Sequence, residues 1–270
     1  MALQKSNNQI KTGIYAAVAV FLAYTMIFGF RKSFTIATFD GITIAGYGYK
    51  TILVISQMLG YLLAKFYGIK YISELKRSGR GKIILFLTGC AWLCWLLFAF
   101  VPVPYNIVFL FLNGFPLGML WGVVFSYVEG RRSTDFIGAS LAVSFIFASG
   151  FVKSVGAWLM VNFGVSEFWV PFYTGLVFAV PLLFFVYLME QIPAPTEEDI
   201  RYRAQRIPMS ESDRKSFIRE FLGGLIACIL IYCFATIFRD IRDNFGAEMW
   251  KEMNYLNQPA IFSQTETPIT

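Results

Sequence analysis

Long apolar runs separated by short polar loops dominate the chain from about residue 14 onwards. Seven of these runs predict helices, over residues 14–39, 51–67, 83–101, 105–128, 136–161, 169–189 and 217–238. Each has the roughly 17–25 residues a helix needs to cross a hydrocarbon core. One stretch breaks the rhythm. Residues 190–216 hold Pro193, Pro195, Pro208, an acidic Glu197-Glu198-Asp199 cluster and several Arg, and form the one clear boundary. The pattern predicts an all-α polytopic membrane protein in three parts. Residues 1–189 form a six-helix transmembrane bundle and 190–216 a charged cytoplasmic linker. Residues 217–270 form the first helix of a second bundle with its outer loop. After Asn257-Gln258-Pro259 the sequence reads as the lead-in to another span, and six helices plus one is an unbalanced count. A fragment with a missing carboxy-terminal half is therefore expected.

Composition sharpens this picture. Apolar residues make up 57%, aromatics 18%, with 29 Phe, and charged residues only 15%, against about 25% in soluble domains. A chain this apolar needs the lipid bilayer as solvent. The first run is too long for a cleavable signal peptide and lacks a small-residue cleavage site. The net charge of +6 sits in alternate loops. Lys5 and Lys11 precede the first run, and Lys70, Lys76, Arg77, Arg80 and Lys82 lie between the second and third. Arg131 and Arg132 lie between the fourth and fifth, and the linker with the first residues of the seventh run holds six more from Arg201 to Arg219. The intervening loops carry a single Lys. The positive-inside rule then places the amino terminus and the linker in the cytoplasm of a plasma (inner) membrane protein. It also explains the basic balance without nucleic acid. The chain has no His, which removes His-based triads, His metal ligands and His proton relays. Cys90, Cys94, Cys228 and Cys233 all lie in apolar runs and read as free thiols. No cofactor is expected, and no enzyme.

The candidate chemistry begins at the end of the first run, with Tyr24, Phe30, Arg31 and Lys32. The pattern recurs as Tyr232, Phe238 and Arg239, each 208 positions later. Seven residues is about two helical turns, so Tyr and Arg share a face. A charge at a bilayer centre costs at least about 2.5–3.5 kcal/mol, so it is kept where it meets a cavity, a partner or a ligand. The alternative is that both Arg residues snorkel to the interface. Lys153 lies about 17 residues into the fifth run, a depth comparable with Arg31 and Arg239, and a shared cationic level suits an anion. Asp240, Arg242 and Asp243 follow Arg239, and Asp243 is four residues on, at the spacing of a helix-surface pair. They read either as a local salt-bridge cluster or as a gate. In the fourth run Gly114, Gly118 and Gly122 repeat every four residues, which lets a neighbouring backbone approach closely. Asn113 heads that stripe and offers a polar contact to cargo. Glu74 among Lys76, Arg77 and Arg80, together with Arg131 and Arg132, supplies further gating candidates.

These pieces resemble the major facilitator superfamily, and within it the organophosphate:phosphate antiporter branch. Arg31-Lys32-x-Phe34-x-x-Ala37 looks like that branch's first helix, where the Arg meets the substrate phosphate. Gly60-Tyr61-x-x-x-Lys65-Phe66 resembles its second helix, whose Lys lines the path. Asn113-Gly114-x-x-x-Gly118-Met119-x-Trp121 resembles its fourth. Arg239 falls where its seventh helix supplies a second phosphate-binding Arg. The chain departs from the branch after Gly68, where Ile72 stands in place of an Asp, and in lacking His.

The resemblance implies a secondary active transporter for a small organic anion, such as a phosphorylated or carboxylated metabolite, working by alternating access. The implied binding residues are Arg31, Arg239, Lys153, Lys65, Tyr24, Tyr232 and Asn113. The alternative is a membrane sensor or scaffold that keeps the fold without transporting.

Overall fold

The computed structural model describes residues 2–73, 79–201, 210–255 and 258–269. All seven predicted runs are helical and long and apolar enough to cross a membrane, so the protein is all-α and multi-pass. In chain order the bundle is α1 (Ala2–Lys32), α2 (Tyr49–Ser73), α3 (Arg80–Phe100), α4 (Ile107–Phe125), α5 (Thr134–Phe163) and α6 (Val170–Glu190). The linker carries a short α7 (Glu197–Arg201), and α8 (Glu211–Glu252) and α9 (Ile261–Glu266) follow. A two-residue hairpin, β1 (Thr43–Ile44) against β2 (Tyr47–Gly48), closes the loop between α1 and α2.

α1 is the centre of the bundle and packs on α3, α4, α5 and α6. Its α-helix stops at Lys32 and tightens into a 3-10 turn over Ser33–Ile36, short of the predicted end at residue 39. The next segment is tied down instead by Glu167. Its carboxylate accepts from the backbone N–H groups of Thr38 at 2.8 Å and Phe39 at 3.0 and 3.1 Å. A half-buried carboxylate offers a stronger anchor to free N–H groups than a further helical turn without one.

α2 and α4 are pressed together through their glycines. A Cβ at Gly60 would lie 2.0 Å from the Phe111 carbonyl oxygen, and one at Gly114 2.2 Å from that of Gln57. At Gly118 it would meet Ala64 Cβ at 2.6 Å. The small-residue stripe is thus used for helix packing, as in other lipid-embedded pairs.

The linker is anchored at its acidic cluster. Asp199 caps α7 by accepting from the N–H of Thr196 at 2.8 Å, and it reaches the N–H of Arg132 at 3.0 Å. Burial opposes its charge, but the Arg132 and Thr196 donors hold the carboxyl below its usual range. Ser210 and Asp213 then form a reciprocal capping box that starts α8.

α8 has 42 residues, about 63 Å of helix against a hydrocarbon core of about 30 Å. Its apolar stretch from residue 217 to 238 is exposed, as suits lipid contact. Burial begins near Asp240, and the helix breaks at Phe245 (φ −114°, ψ 15°). Ala247 and Phe262, on α8 and α9, join the core built by Phe34, Phe39, Trp95 and Phe98. Among the described residues, it is this end of α8 that docks on the six-helix bundle.

Candidate functional site: a buried cationic cluster beneath the docked end of α8

The end of α1 points its cations in two directions. Arg31 stacks its guanidinium on the Tyr61 ring at 4.3 Å, and Lys65 approaches the same ring at 4.8 Å. Tyr61 and Lys65 are one turn apart on α2, so a single helical face presents both. Tyr24, buried one face-repeat before Arg31, directs its hydroxyl to the same guanidinium. The sequence-derived grouping of Tyr24, Arg31 and Lys65 therefore holds in space, with Tyr61 as its hub.

Lys32 turns the other way, toward α5 and α8. Its ammonium donates to Asn244 Oδ1 at 2.5 Å and lies 3.6 Å from Asp243 Oδ2. Lys153 sits 3.2 Å from Asp243 Oδ1 and donates to Ser149 Oγ at 2.9 Å. Ser149 in turn donates to Asp243 at 2.5 Å. Lys32, Lys153, Asp243, Asn244 and Ser149 are all buried. One carboxylate serves two ammonium groups, and the Arg31 guanidinium is the adjacent charge on α1. Cations outnumber the anion in this knot.

A cavity of about 200 Å³ opens beside it, lined by Lys153, Arg242, Gly246, Trp250, Phe262 and Glu266. Arg242 Nη2 pairs with Glu266 Oε2 at 3.2 Å, while its Nε is buried without a hydrogen-bond acceptor among the described residues. Burial raises the Glu266 carboxyl above its ordinary range, and the Arg242 and Lys153 charges only partly oppose this. Two further pairs clasp the end of α8 to the bundle. Lys50 meets Glu248 at 2.7 Å and also donates to the Thr35 carbonyl, and Lys251 bonds Asp40. The Lys251 ammonium holds the Asp40 carboxyl below its usual range.

Other expectations find different settings. Asp243 does not pair with Arg239 across one turn. Arg239 instead bonds its neighbour Asp240 at 3.1 Å on an exposed face, and Asp243 faces inward to the lysines. Tyr232 is 69% exposed and does not join Tyr24 in the core, whereas the charge of Arg239 reaches Tyr61, the ring beneath Arg31. Asn113 is fully committed to packing. Its amide donates to the Phe30 and Ala91 carbonyls, and its oxygen accepts from Gln57 at 2.8 Å.

On the opposite face of the membrane, Arg80 donates to the Ser126 carbonyl at 2.6 Å and lies over Tyr127, whose hydroxyl bonds Glu190 at 2.6 Å. Arg131 bonds the Pro193 carbonyl and the Arg132 backbone meets Asp199, so both tie down the linker. Glu74 and Arg77 lie outside the described residues. Sequence reasoning did not assign Lys32, Tyr61, Ser149 or Asn244. Lys32 was legible as a second cation in an apolar run, and Ser149 as a polar residue one turn from Lys153. Nothing local marks Asn244.

These features define a polytopic helical membrane protein with an ionic knot between its bundle and a further long helix. The model of a family of unknown function (DUF5690) matches residues 33–270, and the chain belongs to that family. No curated protein and no solved structure matches it.

Proposed function

We propose that the chain binds and carries a small organic anion by alternating access, in the manner of major facilitator transporters. The observation that carries this reading is the sharing of Asp243 by Lys32 and Lys153 next to a cavity that also presents Arg242. Buried cations in excess of their acids are held at a cost that a ligand of opposite charge offsets. Asp243 then acts as an internal stand-in for the anionic group of the cargo. A carboxylate or phosphate entering the cavity competes for Lys153 and the open Arg242 donor. The fork of a guanidinium suits either oxyanion. Once the lysines are drawn to the ligand, the end of α8 loses its central tie and the docked state becomes less favoured. Ligand binding and gate opening are thereby two readings of one equilibrium. The basic loops support a cytoplasmic amino terminus, and on that reading the clasp faces the outer side of a plasma membrane.

The test is anion binding by the purified chain in nanodiscs, with inorganic phosphate, a sugar phosphate and an aliphatic dicarboxylate as probes and a neutral sugar as control. At least one anion binds, and Lys153→Met weakens it by tenfold or more. Arg31→Ala has a smaller effect, because Arg31 faces Tyr61. Binding of none of the three anions, or unchanged binding by Lys153→Met, removes the proposal.

Glu266 sets the pH dependence. It faces Arg242, Lys153 and Asp243. Because its folded carboxyl titrates above the ordinary range, lowering the pH toward that range adds a proton there first and frees Arg242. For a probe anion of constant charge, affinity rises as the pH falls toward that range, and Glu266→Gln keeps the high affinity throughout. An unchanged slope in that variant excludes Glu266 as the source.

A further inference from the structure

A second cavity, of about 760 Å³, lies far from the knot, between α2 and α3 at the end of the membrane where the basic loops cluster. Both helices pack on α4 and leave a gap between them. The lining is graded. Lys82, two residues into α3, and Tyr71, two residues from the end of α2, stand at its mouth. Phe66 and Phe86 follow a little over one turn deeper, by about 6–8 Å. Met119 and Phe115 on α4 form its floor, six and ten residues from the helix end, so the groove reaches about 15 Å into the membrane. That depth is the thickness of one hydrocarbon leaflet.

Lys82 is exposed and pairs with no acid among the described residues. Tyr71 places a phenol beside it at the height where tyrosines meet lipid headgroups. A cation at the mouth, an aromatic shaft one leaflet deep and an apolar floor match one occupant: an anionic phospholipid of the adjacent leaflet. We infer that this groove is a phospholipid site, with the headgroup phosphate on Lys82 and one acyl chain laid between Phe66 and Phe86 over Met119. Basic pockets between membrane helices recognise anionic headgroups by this charge pairing.

Native mass spectrometry of the full chain, released from detergent with equal phosphatidylglycerol and phosphatidylcholine, tests it. A single phosphatidylglycerol adduct is retained in preference to phosphatidylcholine, and inorganic phosphate does not displace it. Lys82→Glu lowers retention by at least about fivefold, the weight of one interfacial cation. Lys82 is exposed, so this variant folds. Phe86→Ala lowers retention of both lipids together by loosening the shaft. Equal retention of the two lipids by the parent chain, full retention by Lys82→Glu, or displacement by inorganic phosphate overturns the assignment.

Discussion

Asp243→Ala removes the shared carboxylate and leaves Lys32 and Lys153 facing each other in a buried site. The expected loss is about 3–5 kcal/mol, the usual cost of stranding one side of a buried ion pair. Two features place this substitution at the high end. Two ammonium groups lose their partner at once, with Asp243 at 3.2 and 3.6 Å from them. Ser149 and Asn244 remain as neutral acceptors and cannot supply charge. The thermal midpoint of the purified chain falls by many degrees, and α8 loses protection from proteolysis around residues 240–252. Adding Lys32→Met and Lys153→Met to the same chain restores most of the stability, since a well-packed apolar cluster replaces a buried ionic one at little net cost. A midpoint within a degree of the parent, or no recovery in the triple variant, contradicts the ionic account of docking.

Gly114→Val is the second large effect. The new Cβ falls 2.2 Å from the Gln57 carbonyl oxygen and 3.1 Å from the Tyr61 backbone nitrogen. Backbone atoms cannot step aside as a side-chain tip does, so α2 and α4 separate. That separation breaks the Gln57–Asn113 hydrogen bond and the Gln57 bond to the Arg31 carbonyl, both 2.8 Å. It also withdraws Tyr61 from Arg31. Overpacking of this kind costs about 3 kcal/mol or more, read as loss of the monodisperse peak in size-exclusion chromatography. Gly89→Ala is the matched control. Its Cβ meets nothing within 4 Å, and alanine gains up to about 1 kcal/mol of helix propensity. Equal damage by the two substitutions would count against close α2–α4 contact.

The fold was largely readable because lipid leaves few choices. An apolar run long enough to span must satisfy its own backbone, and only a helix does so within one segment. The four-residue glycine repeat likewise announced a close helix pair before its partner was known. The ends were harder. α8 continues from 239 to 252 because those residues are helix-compatible, although the apolar run that marked it stops at Phe238. The site was half readable. Tyr24 and Arg31 share a face by helical geometry alone, and Tyr61 and Lys65 do so for the same reason. Of the two readings open for Asp243, the local pair with Arg239 fails because its partners lie 211 and 90 positions away in sequence, at Lys32 and Lys153. Spacing rules describe one helix at a time and carry no information on which helices meet. Asn113 shows the converse error, since a polar residue on an apolar helix reads as a ligand contact until the backbone carbonyls around it are seen.

The central claim is that an anion and Asp243 compete for the same buried cations, so that ligand loosens the end of α8. Cross-linking measures this most directly. Asp40 and Lys251, which bond across the clasp, are both replaced by Cys in a chain whose four native cysteines are Ser. A short bifunctional thiol reagent is then applied in nanodiscs. The account predicts efficient cross-linking without ligand and a marked slowing under a saturating concentration of whichever probe anion binds best, with the neutral sugar inert. Absence of the cross-link, or the same rate with and without that anion, contradicts it.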